Sequence, residues 1–397
     1  MRLMNQYSMD ILKYSQDNGV DIFKEYKKSN ITEERKKELE DWLFNLLRSK
    51  NEVPVPQYTK NQVIQNITRL SNVDLSTVYK DNQYWYNATC VNLLSSFFPE
   101  MFNVRKGAGR DHPTINEYFY DDYMLRKTIK KVLLYDKSEL SILTWLKLAG
   151  AGFCSNFRPA SAMAIYKFFG KEKDCKVFDS SAGYGARLLG AHVVDNVSEY
   201  LGIDPNTADS CNKLIKILDE DFDTNTKKKV LKMGSEDFTV SDFPEYKEYF
   251  DLYFTSPPYF DTERYSDDET QSYKRFPTYE KWIKGFYRST IYNACDVLKK
   301  DGIFILNIFE KVPNIREITK LFLADKGWYI YKIDKYLMRT LPGSIHKFDK
   351  EGKPIVRDMT LGKNFEPIYY AKYYKQLLKE GLIDKKLADL YSKRVIV

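Results

Sequence analysis

A chain of 397 residues with 43% hydrophobic and 29% charged residues has apolar material enough for two domains, or for one large domain with an appendage. It contains no run of about 18 apolar residues, which argues against a membrane span. Its net charge of +7 is compatible with a nucleic-acid partner without demonstrating one.

The opening, MRLMNQYSMDILKYSQDNGV, lacks the uninterrupted apolar stretch of a signal peptide, and a cytoplasmic protein is expected. The five cysteines, Cys90, Cys154, Cys175, Cys211 and Cys295, form no CxxC pair, which argues against a zinc site or a disulfide framework. His112, His192 and His346 stand apart from one another, so no His-based metal site or Ser-His-Asp triad is expected.

Residues 1–148 read as mainly helical. In NITEERKKELEDWLFNLLRSK, Thr32 is placed as an N-cap with Glu33 and Glu34 in the first turn, and Leu39, Leu43, Leu46 and Leu47 form an apolar face. Arg35 stands where a capping box would need Glu or Gln. A second helical stretch starts near Tyr123. From about residue 175 short β-rich runs alternate with helical segments: KVF, YLGI, KVLKM, DLYFTS, GIFILNIF, WYIYKI and EPIYYAKY. Seven such runs with amphipathic segments between them predict an α/β fold, a Rossmann-like sheet with helices on both faces. Residues 376–397 read as one or two short helices.

Chemistry-bearing stretches sit at the ends of four of these runs. The first runs into VFDSSAGYGARLLGA, where Asp179 ends a strand and Ser181, Ala182, Gly183 and Gly185 form a tight loop before a helix. Glycines there let backbone approach a ligand, although Leu188 stands where a third glycine of a dinucleotide fingerprint would be. The second ends in Asp204, Pro205 and Asn206, placing a carboxylate where it can accept ribose hydroxyls. The third ends in Glu236, Asp237 and Phe238, placed to edge and cover an adenine. The fourth ends in Ser256, Pro257, Pro258 and Tyr259. Ligands of open α/β sheets sit at the carboxyl ends of strands, so the four stretches are expected to form one site.

Together these residues resemble the S-adenosylmethionine-dependent DNA amino-methyltransferases. DSSAGYG resembles their cofactor loop and TSPPY their catalytic motif. CSNFRPASAMAIYKFF resembles their segment at the methionine end, through Asn156, Phe157, Arg158 and Pro159, and FEPIYYAKY resembles their antiparallel closing strand. The resemblance covers about residues 150 to 375, and implies a seven-stranded methyltransferase domain over 149–375 with a recognition or interaction region before it. It further implies S-adenosylmethionine as cofactor, no metal, and a flipped base of double-stranded DNA as substrate. The setting it implies is a bacterial or phage-infected cell, with a restriction endonuclease partner, an orphan role and a phage-borne role all open.

Ser256 and the carbonyl held by the Pro-Pro corner are expected to accept the amino protons, and Tyr259 to stack on the base. The resemblance associates serine at this position with N4 of cytosine, and aspartate or asparagine with N6 of adenine. RNA as substrate and a catalytically inactive DNA-binding subunit stand as alternatives, and a protein-glutamine methyltransferase would carry asparagine at position 256. No cysteine follows a proline, so the nucleophile of cytosine-C5 methylation is missing.

There are two departures from the family pattern. Tyr184 and Ala186-Arg187 replace the small residues common in the loop, and the stretch from Asp204 to Ser256 has no room for a large recognition insert. Sequence reading then falls to the first 150 residues, to 260–280 or to 335–365. DNA contacts are expected from Arg105, Lys106 and Arg110 in NVRKGAGRDHP, and from Arg264, Lys274 and Arg275 in the loop after the Pro-Pro corner.

Overall fold

The computed structural model describes residues 6–55, 57–106, 113–135, 146, 151, 156–308, 312–338 and 365–394. Arg110, His112, Cys154 and His346 lie outside the described residues, as does most of 335–365. In chain order the strands are β1 (Tyr79–Lys80), β2 (Gln83–Tyr84), β3 (Arg105–Lys106), β4 (Cys175–Asp179), β5 (Val197–Ile203) and β6 (Lys227–Leu231). They continue as β7 (Phe250–Thr255), β8 (Glu263–Arg264), β9 (Leu298–Asn307), β10 (Trp328–Leu337) and β11 (Phe365–Tyr373).

The chain forms two compact units. The first takes Met1–Gln65, Asn92–Ser155 and Glu263–Ser266; the second takes Asn66–Val91, Asn156–Thr262 and Asp267–Val397. The first 148 residues are therefore shared between the two. No helix among the described residues is long and apolar enough to cross a membrane.

The first unit is built on the helix Glu33–Lys50, whose N-cap Thr32 Oγ1 accepts Arg35 N–H at 3.1 Å. Leu39, Leu43, Phe44 and Leu47 are its buried face, and Leu46 is half-buried. The helix Asp122–Tyr135 is tied to it by ion pairs, Arg126 to Asp41 at 2.5 Å and Arg48 to Asp122 at 2.7 Å. Here also β3 and β8 pair antiparallel, with Arg105 opposite Arg264 and Lys106 opposite Glu263.

The second unit carries a nine-stranded sheet in the order β1-β2-β10-β11-β9-β7-β4-β5-β6. Its seven long strands are those expected from the alternating runs. β9, β7, β4, β5 and β6 are parallel, and β11 is antiparallel to both β9 and β10. Buried parallel strands read as continuous apolar runs, and β7 is buried at every position. Phe178, Leu201, Tyr253, Phe304 and Leu306 pack there with Tyr287 and with Ile291 and Ala294 of the helix Arg288–Val297 that follows it.

Two strands of this sheet exceed the expectation of seven, and they come from the region read as helical. β1 and β2 make a hairpin whose turn residues, Asp81 and Asn82, have φ of 55° and 58°. Two consecutive positive φ values make the tight turn that matches strand twist. The hairpin extends the sheet beside β10. It is held there by Tyr84 Oη on Tyr370 Oη at 2.6 Å and by Tyr79 Oη donating to buried Asp334 at 3.0 Å. The tail forms two short helices, Tyr374–Lys379 and Lys385–Ser392.

Candidate active site

After β4 the chain adds β5 and β6 on one side, then returns to place β7 on the other. At such a reversal, beyond the carboxyl ends of β4 and β7, open α/β sheets form the crevice in which their ligands bind. The fold therefore brings together all four strand-end stretches singled out in the sequence.

Asp179 lies beneath the crevice and is fully buried. Its Oδ1 accepts Thr255 Oγ1 at 2.8 Å and Ser181 N–H at 3.2 Å. Its Oδ2 accepts Arg187 Nε and Tyr200 Oη, each at 2.7 Å. One carboxylate thus ties β4, β5, β7 and the following helix together. This corrects its expected place among the ligand contacts: with four donors on it and no exposure, Asp179 shapes the loop above. Arg187, noted in the sequence only as a departure, is its charge partner and also donates to Ser181 O.

The loop itself turns on Gly183 and Gly185, with φ of 57° and 71°, values that L side chains with a Cβ rarely adopt. Ala182 is buried and donates its N–H to Ile203 O at 2.8 Å, while Ser181 and Gly183 remain half-buried. Asp204 follows β5. Its Oδ2 accepts Gly183 N–H, and its Oδ1 accepts Asn206 and Thr207 N–H, all at 2.9 Å. Burial pushes this carboxyl up, and the three backbone donors oppose the shift. Asp204, Pro205 and Asn206 all stay half-buried at the crevice.

Asn156 Nδ2 donates to Tyr184 O at 3.1 Å, which joins the segment before the helix Pro159–Phe169 to the glycine loop. Pro159 is buried as the first helical residue, where its missing N–H costs nothing. Phe157 stacks on Tyr336 at 4.6 Å and meets Phe254 edge-on at 5.1 Å. Arg158 is 4% exposed. It donates from N and Nε to Tyr336 Oη, at 3.1 and 2.7 Å, and from Nη2 to Leu337 O. Its Nη1 is buried and has no hydrogen-bond partner among the described residues.

At the end of β6 the short turn Ser235–Asp237 presents Glu236, nearly buried, and Asp237, exposed. Burial pushes the Glu236 carboxyl up. Phe238 does not accompany them. It is fully buried against Phe178 at 5.2 Å and Phe243 at 4.7 Å, so its expected role as a cover over adenine is corrected to a core position.

At the end of β7, Ser256 Oγ lies 2.9 Å from Tyr259 Oη. Pro257 is buried, while Ser256, Pro258 and Tyr259 are half-buried. Tyr259 O accepts Thr262 N–H at 3.1 Å, and Phe260 within that turn has φ of 56°. A bulky residue at positive φ is an outlier, and such strain concentrates at functional sites. No sequence feature announces it.

The basic residues expected to meet DNA fall in two groups. Arg105 and Arg264, from distant loops, are direct register partners in the first unit, and Arg105 is also paired with Glu117. The backbone of Lys106 lies in the same ribbon. Lys274 and Arg275 belong to the second unit and are paired with acids there: Lys274 with Glu269 at 3.0 Å, Arg275 with Glu236 at 2.5 Å and Asp237 at 2.6 Å.

No family model matches the chain, and no curated protein matches it. Among solved structures, it is similar to TrmN from Thermus thermophilus, with 12% identity, 54% of this chain and 48% of that chain covered, and a TM-score of 0.32. It is similar also to precorrin-6y C5,15-methyltransferase from Geobacter metallireducens, with 12% identity, coverages of 54% and 86%, and a TM-score of 0.31. A TehB-like SAM-dependent methyltransferase from Corynebacterium glutamicum shows 14% identity, coverages of 58% and 94%, and a TM-score of 0.30. TrmN is thus matched over about half its length. At identities and scores this low, the functional reading rests on this chain's own residues.

Proposed function

We propose that the chain is an S-adenosylmethionine-dependent methyltransferase acting on an exocyclic amino group of a nucleic-acid base, with N4 of cytosine in DNA as the first choice. The observation that carries this reading is that one buried carboxylate, Asp179, fastens both the glycine loop, through Ser181 N–H, and the strand end that leads into the Ser256–Tyr259 corner, through Thr255 Oγ1.

The residues fit the cofactor. Left-handed backbone at Gly183 and Gly185 lets the loop lie close against a ligand. The unpartnered Nη1 of Arg158 suits an α-carboxylate, since a buried guanidinium N–H left unpaired is costly. Asp204 suits ribose hydroxyls, and Glu236 with Asp237 suits the adenine amino group. When bound, the cofactor supplies a methyl group on a sulfonium centre. This chain's own part is then to hold an amino nitrogen still with its lone pair turned outward. If Ser256 donates to Tyr259, both Ser256 lone pairs stay available to accept amino N–H groups. The stiffness of Pro257 and Pro258 holds that acceptor before reaction begins.

The test is transfer of labelled methyl from S-adenosylmethionine to unmodified double-stranded DNA and to RNA, followed by mass spectrometry of the nucleosides. N4-methylcytosine in DNA is the expected product, and N6-methyladenine would shift the base. Transfer to RNA alone, or no cofactor binding by calorimetry, overturns the DNA methyltransferase reading.

A further inference from the structure

We propose that Arg275 is a positioning residue for the cofactor's adenine, held by a clasp of residues 272–276 that keeps the Glu236 and Asp237 carboxylates aimed. The inference rests on the cofactor reading above, and it concerns a residue that the sequence assigned to DNA contact.

Three sets of contacts build the clasp. First, the turn bearing the acids is fixed from behind. Asn293 Nδ2 donates to Ser235 O at 3.1 Å and Glu236 O at 3.2 Å, and Ser235 Oγ meets Thr290 Oγ1 at 2.8 Å. Second, Arg275 spans both acids. Its Nη1 reaches Glu236 Oε1 at 2.5 Å and Asp237 Oδ2 at 2.6 Å, and its Nη2 reaches Asp237 Oδ1 at 3.0 Å. Third, the segment carrying Arg275 is itself docked. Trp282 Nε1 donates to Ser272 Oγ at 3.2 Å, and the Phe276 ring lies so close to Gly285 that a Cβ there would fall 2.1 Å from Phe276 Cε1. Gly285 belongs to the π-helical stretch Trp282–Tyr287, a distortion that recurs at functional sites.

The chemistry explains why an arginine stands there. Two adjacent carboxylates repel, and the one that is nearly buried is driven toward its neutral form. A planar guanidinium can bridge both at once, which an ammonium cannot do. Each carboxylate oxygen can accept more than one hydrogen bond, so a bridged pair can still receive an amino N–H. Lys274, one residue away, is spent on Glu269 and the carbonyl of Asp267 and touches neither acid.

Titration calorimetry compares S-adenosylhomocysteine with its deaminated analogue S-inosylhomocysteine on the full chain and its variants. Arg275→Ala should weaken S-adenosylhomocysteine about tenfold, the scale of one charge-assisted hydrogen bond. Arg275→Lys should recover little of that. Gly285→Ala, which displaces Phe276 and leaves every charge in place, should weaken it in the same direction, and Lys274→Ala should leave it unchanged. The penalty should shrink for the deaminated analogue, which lacks the amino donor. This comparison is made within each variant, so it holds even where a substitution lowers stability. Equal penalties for both ligands would make Arg275 merely structural and overturn the proposal. Tighter or unchanged binding by Arg275→Ala would also overturn it, and the methyltransferase reading would survive. If the unaltered chain binds neither ligand, both readings fall.

Discussion

Arg187 Nε lies 2.7 Å from Asp179 Oδ2, with the two side chains 5% and 0% exposed. An ion pair this far from water persists only if its remaining groups are satisfied, and here Thr255, Ser181 and Tyr200 complete the carboxylate. Removing one partner leaves the other charge buried alone. Asp179→Leu and Arg187→Leu are each expected to lower the unfolding free energy by about 3–5 kcal/mol. The double variant should lose less than the sum, because it leaves no stranded charge. Urea titration of the three variants measures both quantities.

Gly183 separates backbone conformation from space. A Cβ at this position would meet nothing nearer than Ser181 O at 3.7 Å and Arg187 Nη2 at 3.8 Å, so its φ of +57° is the only obstacle. Gly183→Ala should therefore cost about 1–2 kcal/mol of stability. It should also weaken cofactor binding by tilting the loop. Gly183→Asn should be milder in both respects, since asparagine tolerates the left-handed region. Thermal melts and calorimetry together distinguish strain from steric loss.

His192 gives the fold a dependence on pH. Burial, and then the charge of Lys228, lower its pKa from 6.5 to about 4. The folded state thus favours neutral imidazole, and the unfolded chain binds the proton more readily between those values. The stabilisation is complete above the unfolded value and is lost as pH falls toward 4. Over that window the chain should lose about 3 kcal/mol more than His192→Phe does. The raised carboxyls of Asp204 and Glu236 act with the opposite sign, but they are common to both proteins and cancel in the difference. Urea midpoints at stepped pH supply the comparison, and parallel curves would remove His192 as the cause.

How far the sequence is legible follows from the range of each interaction. The long strands could be read because burial on both faces leaves continuous apolar runs, and the reversal between β6 and β7 placed their ends together. The β1–β2 hairpin escaped because two-residue strands show no period, although Asp81-Asn82 between tyrosine-bearing pairs is a turn signal. Phe238 followed two acids and read as a ligand cover, yet its surroundings, Phe178 and Phe243, are set by tertiary packing. The ion pairs of Arg187 and Arg275 are hidden from the sequence for the same reason. Their partners are chosen through space, and for Arg275 the acid Asp237 lies 38 residues away in the chain.

Ser256 and Tyr259 carry the sharpest functional expectation. Their hydroxyls are 2.9 Å apart, so each variant alters the other's hydrogen bonding. Ser256→Ala removes the proposed acceptor for the amino protons and should lower kcat by about 10²–10³, the scale for losing one preorganised polar group at a reacting centre. KM for the cofactor should hardly change, since Ser256 is not among the residues assigned to it. Tyr259→Phe keeps a ring for stacking but leaves the Ser256 hydroxyl without its partner. It should lower kcat less than Ser256→Ala does, and Tyr259→Ala should also raise KM for the nucleic acid through lost stacking. Steady-state kinetics with labelled cofactor separates these effects. A Ser256→Ala protein with full kcat would remove Ser256 as the acceptor.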